Sequence, residues 1–160
     1  MVDNRLPLSV RLLGMKERWV SGTYIVSGVF DISSEGNSLE DIQGNIACLF
    51  TYLQKKRRRK WPRGIAGYFA IPIYSGDHFS IPLIDWVQNR PKYRYAMWHE
   101  PVLYNRCANA AIMNTGWGLA GRSFRDFFAE NAFAGLAELA ANAGADSFPS
   151  VNGQRVEYKI

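Results

Sequence analysis

The spacing of apolar residues changes period several times along the chain, and each change marks an element. Leu8, Val10 and Leu12 alternate with Ser9 and Arg11, which predicts an arm or a short edge strand within residues 1–21. Tyr24 to Ile32 (YIVSGVFDI) is β-branched and aromatic and predicts a strand, with Gly28 a bulge or a point of close backbone approach. Beyond SSEGN, the residues Leu39, Ile42, Ile46, Leu49 and Leu53 recur at helical spacing and predict a helix over 39–58. Ser38 and Asp41 form a capping pattern at its start, and Trp61-Pro62 stops it, because the residue before a proline resists helical dihedrals.

Ile65 to Tyr74 (IAGYFAIPIY) reads as a strand buried on both faces, its Pro72 marking an edge or a bulge. Pro82 to Arg90 predicts a short helix, with Ser80 near its start and Pro91 past its end. Lys92 to Glu100 (KYRYAMWHE) alternates, so that Tyr93, Tyr95, Met97 and His99 share one face and Arg94, Ala96, Trp98 and Glu100 the other. Pro101 ends or bends that strand, and Val102–Asn105 and Ala110–Met113 form one broken strand or two. A helix over 123–143 is anchored by Phe124, Phe127, Phe128, Phe133, Leu136 and Leu139, and Val156, Tyr158 and Ile160 alternate in a terminal strand.

This order predicts an α+β fold: a mostly antiparallel sheet of four to six strands, two long helices packed on one face, and a short extra helix, a βαββαβ-like sandwich. Residues 22–160 form one domain behind the N-terminal arm or edge strand. Hydrophobic residues at 48% and aromatics at 14% suffice for a core and argue against disorder.

Charge sharpens this picture more by its position than by its sum. Lys55, Lys56, Arg57, Arg58, Arg59, Lys60 and Arg63 are seven of the 19 basic residues, with no acid among them. The other 12 basic residues face 14 acidic ones, so the excess of the +5 chain is one local patch on a near-neutral body. Such a patch suits a phosphate backbone or anionic lipid, and Trp61 inside it suits stacking on a base; a solvated helix end that aids solubility is the plain alternative.

Cys48 and Cys107 make neither a disulfide framework nor a zinc spacing; Cys48 is expected as a small buried hydrophobe. The N-terminal stretch is interrupted by Arg5, Arg11 and Lys16, and the longest apolar run, 65–74, is half the ~20 residues a spanning helix needs. The expectation is a soluble, cytoplasmic protein with no transmembrane segment.

Three further groups carry candidate chemistry. Gly116-Trp117-Gly118-Leu119-Ala120-Gly121 is formally a GxGxxG opening a helix, yet a short chain and the lack of a well-placed acid make a plain helix-entry loop the better reading. His99, with Glu100 or Asp77 as orienting carboxylate, is the candidate catalytic group; Asp77-His78 is a second such pairing, and Ser75 or Cys107 a possible nucleophile. Alternation already separates His99 from Glu100. The face of Tyr93, Tyr95, Met97 and His99 lines either a pocket or the core. No cofactor or metal site is expected.

The reading that follows is a non-catalytic binding or accessory domain whose patch at Lys55–Arg63 meets an anionic partner such as nucleic acid. The alternative is a small-molecule-binding domain or small enzyme built around His99. A third is a module that self-associates through a strand edge or aromatic patch.

Overall fold

The computed structural model describes residues 6, 10–20, 23–33, 39–56, 67–89, 92–94, 97–114 and 121–158. In chain order the elements are β1 (Val10–Val20), β2 (Thr23–Ser33), α1 (Leu39–Lys56), β3 (Gly67–Gly76), α2 (Ile81–Gln88), β4 (Lys92–Arg94), β5 (Met97–His99), β6 (Val102–Asn105), β7 (Ala110–Met113), α3 (Gly121–Asn142) and β8 (Ser150–Val151).

The chain has the mixed helix-and-sheet content expected, but its eight-stranded sheet exceeds the predicted four to six. The strand order is β1-β2-β3-β6-β7-β8, with β5 also on β3 and β4 on β5. Pairing is antiparallel for β1/β2, β4/β5 and β6/β7, and parallel for β2/β3, β3/β5, β3/β6 and β7/β8. The centre of the sheet is therefore parallel, where a mostly antiparallel one was expected.

The helices also divide between the faces. Ile46, Leu49 and Leu53 of α1 and Leu83 and Val87 of α2 pack with Val26, Phe30, Tyr74 and Leu103 in one core. Phe127, Ala132, Leu136 and Ala140 of α3 pack with Val29, Phe69, Ile73 and Val102 in the other. The two long helices thus lie on opposite faces, not together on one. The right-handedness of parallel crossovers accounts for this. The β2→β3 and β3→β6 connections step the same way across strands of one direction, which puts α1 and α2 on the same side. The β7→β8 connection continues that step with strand direction reversed, which puts α3 on the other.

β3 is the axis of both layers. Its residues from Tyr68 to Gly76 are all buried, as a strand covered on both faces must be. The expectation for Pro72 was an edge or a bulge; it sits in a central strand, which excludes the edge. Ala70 O accepts from Glu100 N at 3.0 Å, so the even residues of β3 turn their backbone polar groups toward β5 and β6. The register pairs Ala70 with His99 and Ile73 with Val102, which brings Pro72 level with Pro101 in the gap between those two strands. The donor that Pro72 lacks would point into that break. β5 and β6 are in effect one strand bent at Pro101, in unchanged register on β3.

Lys92 to His99 is not one strand. Lys92 pairs with His99, Tyr93 with Trp98 and Arg94 with Met97, so the segment folds back as a hairpin. Period-two alternation reads the same in a single strand and in a tight hairpin, which is why the pattern misled. The C-terminal alternation misled as well: residues 155–158 are irregular, and the edge strand is β8. Val156 and Tyr158 nonetheless pack, Val156 on the α3-side core and Tyr158 4.8 Å from the Phe148 ring.

Local sequence explains the element ends. Ser80 precedes α2 in an extended conformation and receives Ile84 N on its carbonyl at 3.0 Å rather than capping with its hydroxyl. After α3, Gly144 takes φ +75, Ala145 N reaches Ala140 O at 2.9 Å and Gly144 N reaches Ala141 O at 3.0 Å, a Schellman closure. A bulge between Leu12 and Gly14 in β1 sends Leu12 and Met15 to the α1 side and Leu13 to the α3 side. Cys48 is exposed, one position off the Ile46–Leu49–Leu53 stripe, and so is not the buried hydrophobe expected.

Gly28 is a close approach and not a bulge: a Cβ there would lie 2.7 Å from Leu53 Cδ2. Gly135 plays the same part for α3, where a Cβ would lie 2.5 Å from Val29 Cγ1 and 2.9 Å from Ile73 Cδ1. Gly135→Ala is expected to lower stability by about 1–2 kcal/mol in urea unfolding, although alanine is the better helix former, because a stiff β-branched neighbour must move. Equal or higher stability would show that α3 can lift off the sheet without cost.

Tyr74 supplies a second test. It is fully buried, burial pushes its hydroxyl well above the ordinary tyrosine range, and that hydroxyl has no hydrogen-bond partner among the described residues. Tyr74→Phe removes only this stranded oxygen and is expected to leave stability unchanged or raise it by about 1 kcal/mol. A clear loss in the same assay would mean that the hydroxyl is satisfied.

Candidate functional site

The parallel centre of the sheet sends the carboxyl ends of β2, β3 and β6 to one end of the molecule and the start of β3 to the other. Ligands of open α/β sheets bind beyond the carboxyl ends of the strands. At that end the polar groups are mutually engaged. Ser75 Oγ donates to Asp31 Oδ1, and Asp31 Oδ2 pairs with Arg11 at 3.3 Å. Asp77 Oδ1 lies 3.4 Å from Arg106 Nε, and the Asp77 carbonyl accepts from Asn105 Nδ2 at 2.8 Å. Cys107 is exposed, and its thiol is pushed up from the ordinary range first by its hydrogen bond to Asp77, then by the Asp77 charge, against an opposing pull from Arg106.

A thiol pKa raised by a neighbouring carboxylate disfavours the Cys107 thiolate. The Ser75 hydroxyl donates to a carboxylate that is also paired with a cation. His78 is exposed beside Asp77, past the end of β3. Next to this rim opens a groove of about 1170 Å³ along residues 146–158, lined among others by Asp146, Arg155, Glu157 and Tyr158. Its charges are of both signs. No cluster of three or more histidine, cysteine or acidic residues able to hold a metal occurs among the described residues.

His99 lies elsewhere. It is fully buried on the α2 side, its ring 5.9 Å from that of Trp86. Glu100 is buried on the opposite face, where its Oε1 accepts from Trp98 Nε1 at 2.6 Å, and Trp98 stacks on Phe69 at 5.5 Å. Asp77 is seven residues along β3 from Ala70, the partner of His99, which at strand rise is about 23 Å away. The candidate acids are therefore not brought to His99: the sheet separates one and its length the other.

The tyrosine face dissolves too. Met97 is fully buried in the core under α1 and α2, Tyr93 pairs with Trp98 rather than following Met97 and His99 along one face, and Tyr95 lies outside the described residues.

At the other end stands the foot of α1. Lys55 and Lys56 are exposed in its last turn, where cations also suit the negative end of the helix dipole. Arg57, Arg58, Arg59, Lys60, Trp61 and Arg63 lie outside the described residues, as do residues 115–120 of the glycine-rich loop, whose Gly121 begins α3. Lys56 Nζ sits 5.6 Å from the centre of the Tyr52 ring. Between this turn and β1 runs a cleft of about 570 Å³ lined by Leu12, Met15, Glu17, Tyr52 and Lys56.

The last residues of β1 border this end and were not singled out by the sequence. Trp19 is 47% exposed, with its ring tilted against Tyr24 at 5.6 Å. Glu17, on the same strand face, accepts from the Tyr24 hydroxyl. Arg18 points to the other face, 4.3 Å over the Phe127 ring and 3.3 Å from Glu130, which Lys16 also meets at 3.4 Å. The signal for Trp19 was present, since a tryptophan that follows Lys16-Glu17-Arg18 on an edge strand is poorly placed for a core.

Comparison with protein-family models, curated proteins and solved structures finds no match. No helix among the described residues is long and apolar enough to cross a membrane.

Asp77→Asn is expected to lower the Cys107 thiol's pKa toward its ordinary value, because it removes both the carboxylate acceptor and the charge that hold the proton. Alkylation by iodoacetamide at pH 8, followed for Cys107 by peptide mass mapping with exposed Cys48 as internal reference, should then speed up severalfold. An unchanged Cys107 rate would mean that Asp77 does not control the thiol.

Proposed function

We propose that the chain is a non-catalytic binding protein whose basic cluster, Lys55 to Arg63, engages an anionic partner, with nucleic acid the leading class. The carrying observation is the charge split, seven cations without an acid in one short segment on a body of net negative formal charge. Among the described residues, several other cations have acidic partners: Arg11 with Asp31, Lys16 and Arg18 both with Glu130, and Arg106 with Asp77. Concentrated like charge repels itself, so a run of this density asks for a polyanion more than for a solvated helix end.

The burial of His99 and Met97 in the core, and the distance from His99 to Asp77, weigh against the enzyme and aromatic-pocket alternative.

The reading is tested by titrating labelled nucleic acid at several salt concentrations. The unmodified protein should bind with a steep salt dependence. Replacing Arg57, Arg58 and Arg59 together by Glu should weaken binding at least tenfold and flatten the log–log salt slope by about 3, one counterion per lost phosphate contact. Absence of binding by the unmodified protein at low salt would sink the proposal.

A further inference from the structure

We infer that the polyanion is single-stranded nucleic acid and that Trp19 is the platform on which one of its bases stacks. This rests on the basic-cluster reading above and adds to it both a strand state and a residue. Three large hydrophobic side chains are exposed among the described residues: Trp19, Ile81 and Tyr158. Trp19 is the one at the end of the sheet where α1 finishes with Lys55 and Lys56. It pairs with Tyr24, whose successor Ile25 pairs with Gly67, the first residue of β3. Strands lie about 4.8 Å apart, so Trp19 stands roughly 10 Å from Gly67, which follows Arg63 by four residues in sequence.

The surroundings sort the parts of a nucleotide. Lys56 borders the cleft between α1 and β1, and Glu17 is in its lining two residues before Trp19 on the same strand face. A phosphate avoids Glu17 and is drawn to Lys55 and Lys56, which leaves the base for the aromatic end. The Trp19 ring is held against Tyr24, so it enters stacking with part of its freedom already spent. A duplex keeps its base faces inside, whereas a single strand offers them, which gives the platform its selectivity. A lipid surface would call for a continuous apolar patch, whereas Glu17 shares the strand face of Trp19, and Ile81 and Tyr158, the other large hydrophobics exposed among the described residues, lie on other elements.

The test compares three probes at low salt on the full chain: a fluorescein-labelled 20-mer of thymidylate, a duplex of equal length, and vesicles of phosphatidylserine and phosphatidylcholine. The 20-mer should bind more tightly than the duplex. Trp19→Ala should weaken 20-mer binding about tenfold and change duplex binding less than twofold, the loss of one stacked base. Trp19→Phe, which keeps a ring, should restore most of the affinity, and thermal melts of both variants establish that the fold is intact. Equal binding of the 20-mer and duplex, untouched by Trp19→Ala, overturns the inference and leaves the cluster reading standing. No binding of either nucleic acid overturns both. Binding of vesicles alone, lost on Trp19→Ala, assigns the surface to lipid and likewise overturns the inference.

Discussion

The structure depends on the double-sided burial of β3. A strand with a partner on each edge and a helix layer on each face has no solvent to satisfy its backbone, so every donor and acceptor must be met within the sheet. The solution is visible in small adjustments. Pro72, which cannot donate, lies level with Pro101, where the neighbouring strand bends and its ladder is interrupted anyway. Gly28 lets Leu53 of α1 reach the sheet from one side, and Gly135 brings the backbone of α3 down onto Val29 and Ile73 from the other. These are close approaches that a single methyl would block, and they set the depth of both layers.

A parallel centre also decides where chemistry can sit. The interior of the sheet is filled with Ile, Val, Phe and Tyr, and the histidine that falls inside, His99, becomes part of the packing beside Trp86. Glu100 is likewise buried, hydrogen-bonded by Trp98, and further polar groups gather at the two ends. At the carboxyl end they meet one another, Ser75 with Asp31 and Cys107 with Asp77, whose carboxylate raises the thiol pKa and so disfavours the thiolate. At the other end, Lys55 and Lys56 of α1 are exposed, Lys56 near the Tyr52 ring, and Trp19 of β1 is 47% exposed beside Tyr24.

What the sequence determined by itself was the kind of each main element. Helical spacing placed α1 and α3 within a few residues, and β-branched and aromatic runs placed β2 and β3, because these periodicities follow from the geometry of one chain segment. The charge split and the separation of His99 from Glu100 were legible for the same reason, being local. Tertiary structure alone decided the rest. Strand direction, the hairpin over 92–99, the side each helix takes and the irregular path of 155–158 depend on which partner supplies the hydrogen bonds, and a period of two is blind to the partner. The distance between His99 and Asp77, the thiol held by Asp77 and the nearness of Trp19 to the foot of α1 arise between residues far apart in sequence. No local pattern encodes them, because they exist only once the strands have chosen their neighbours.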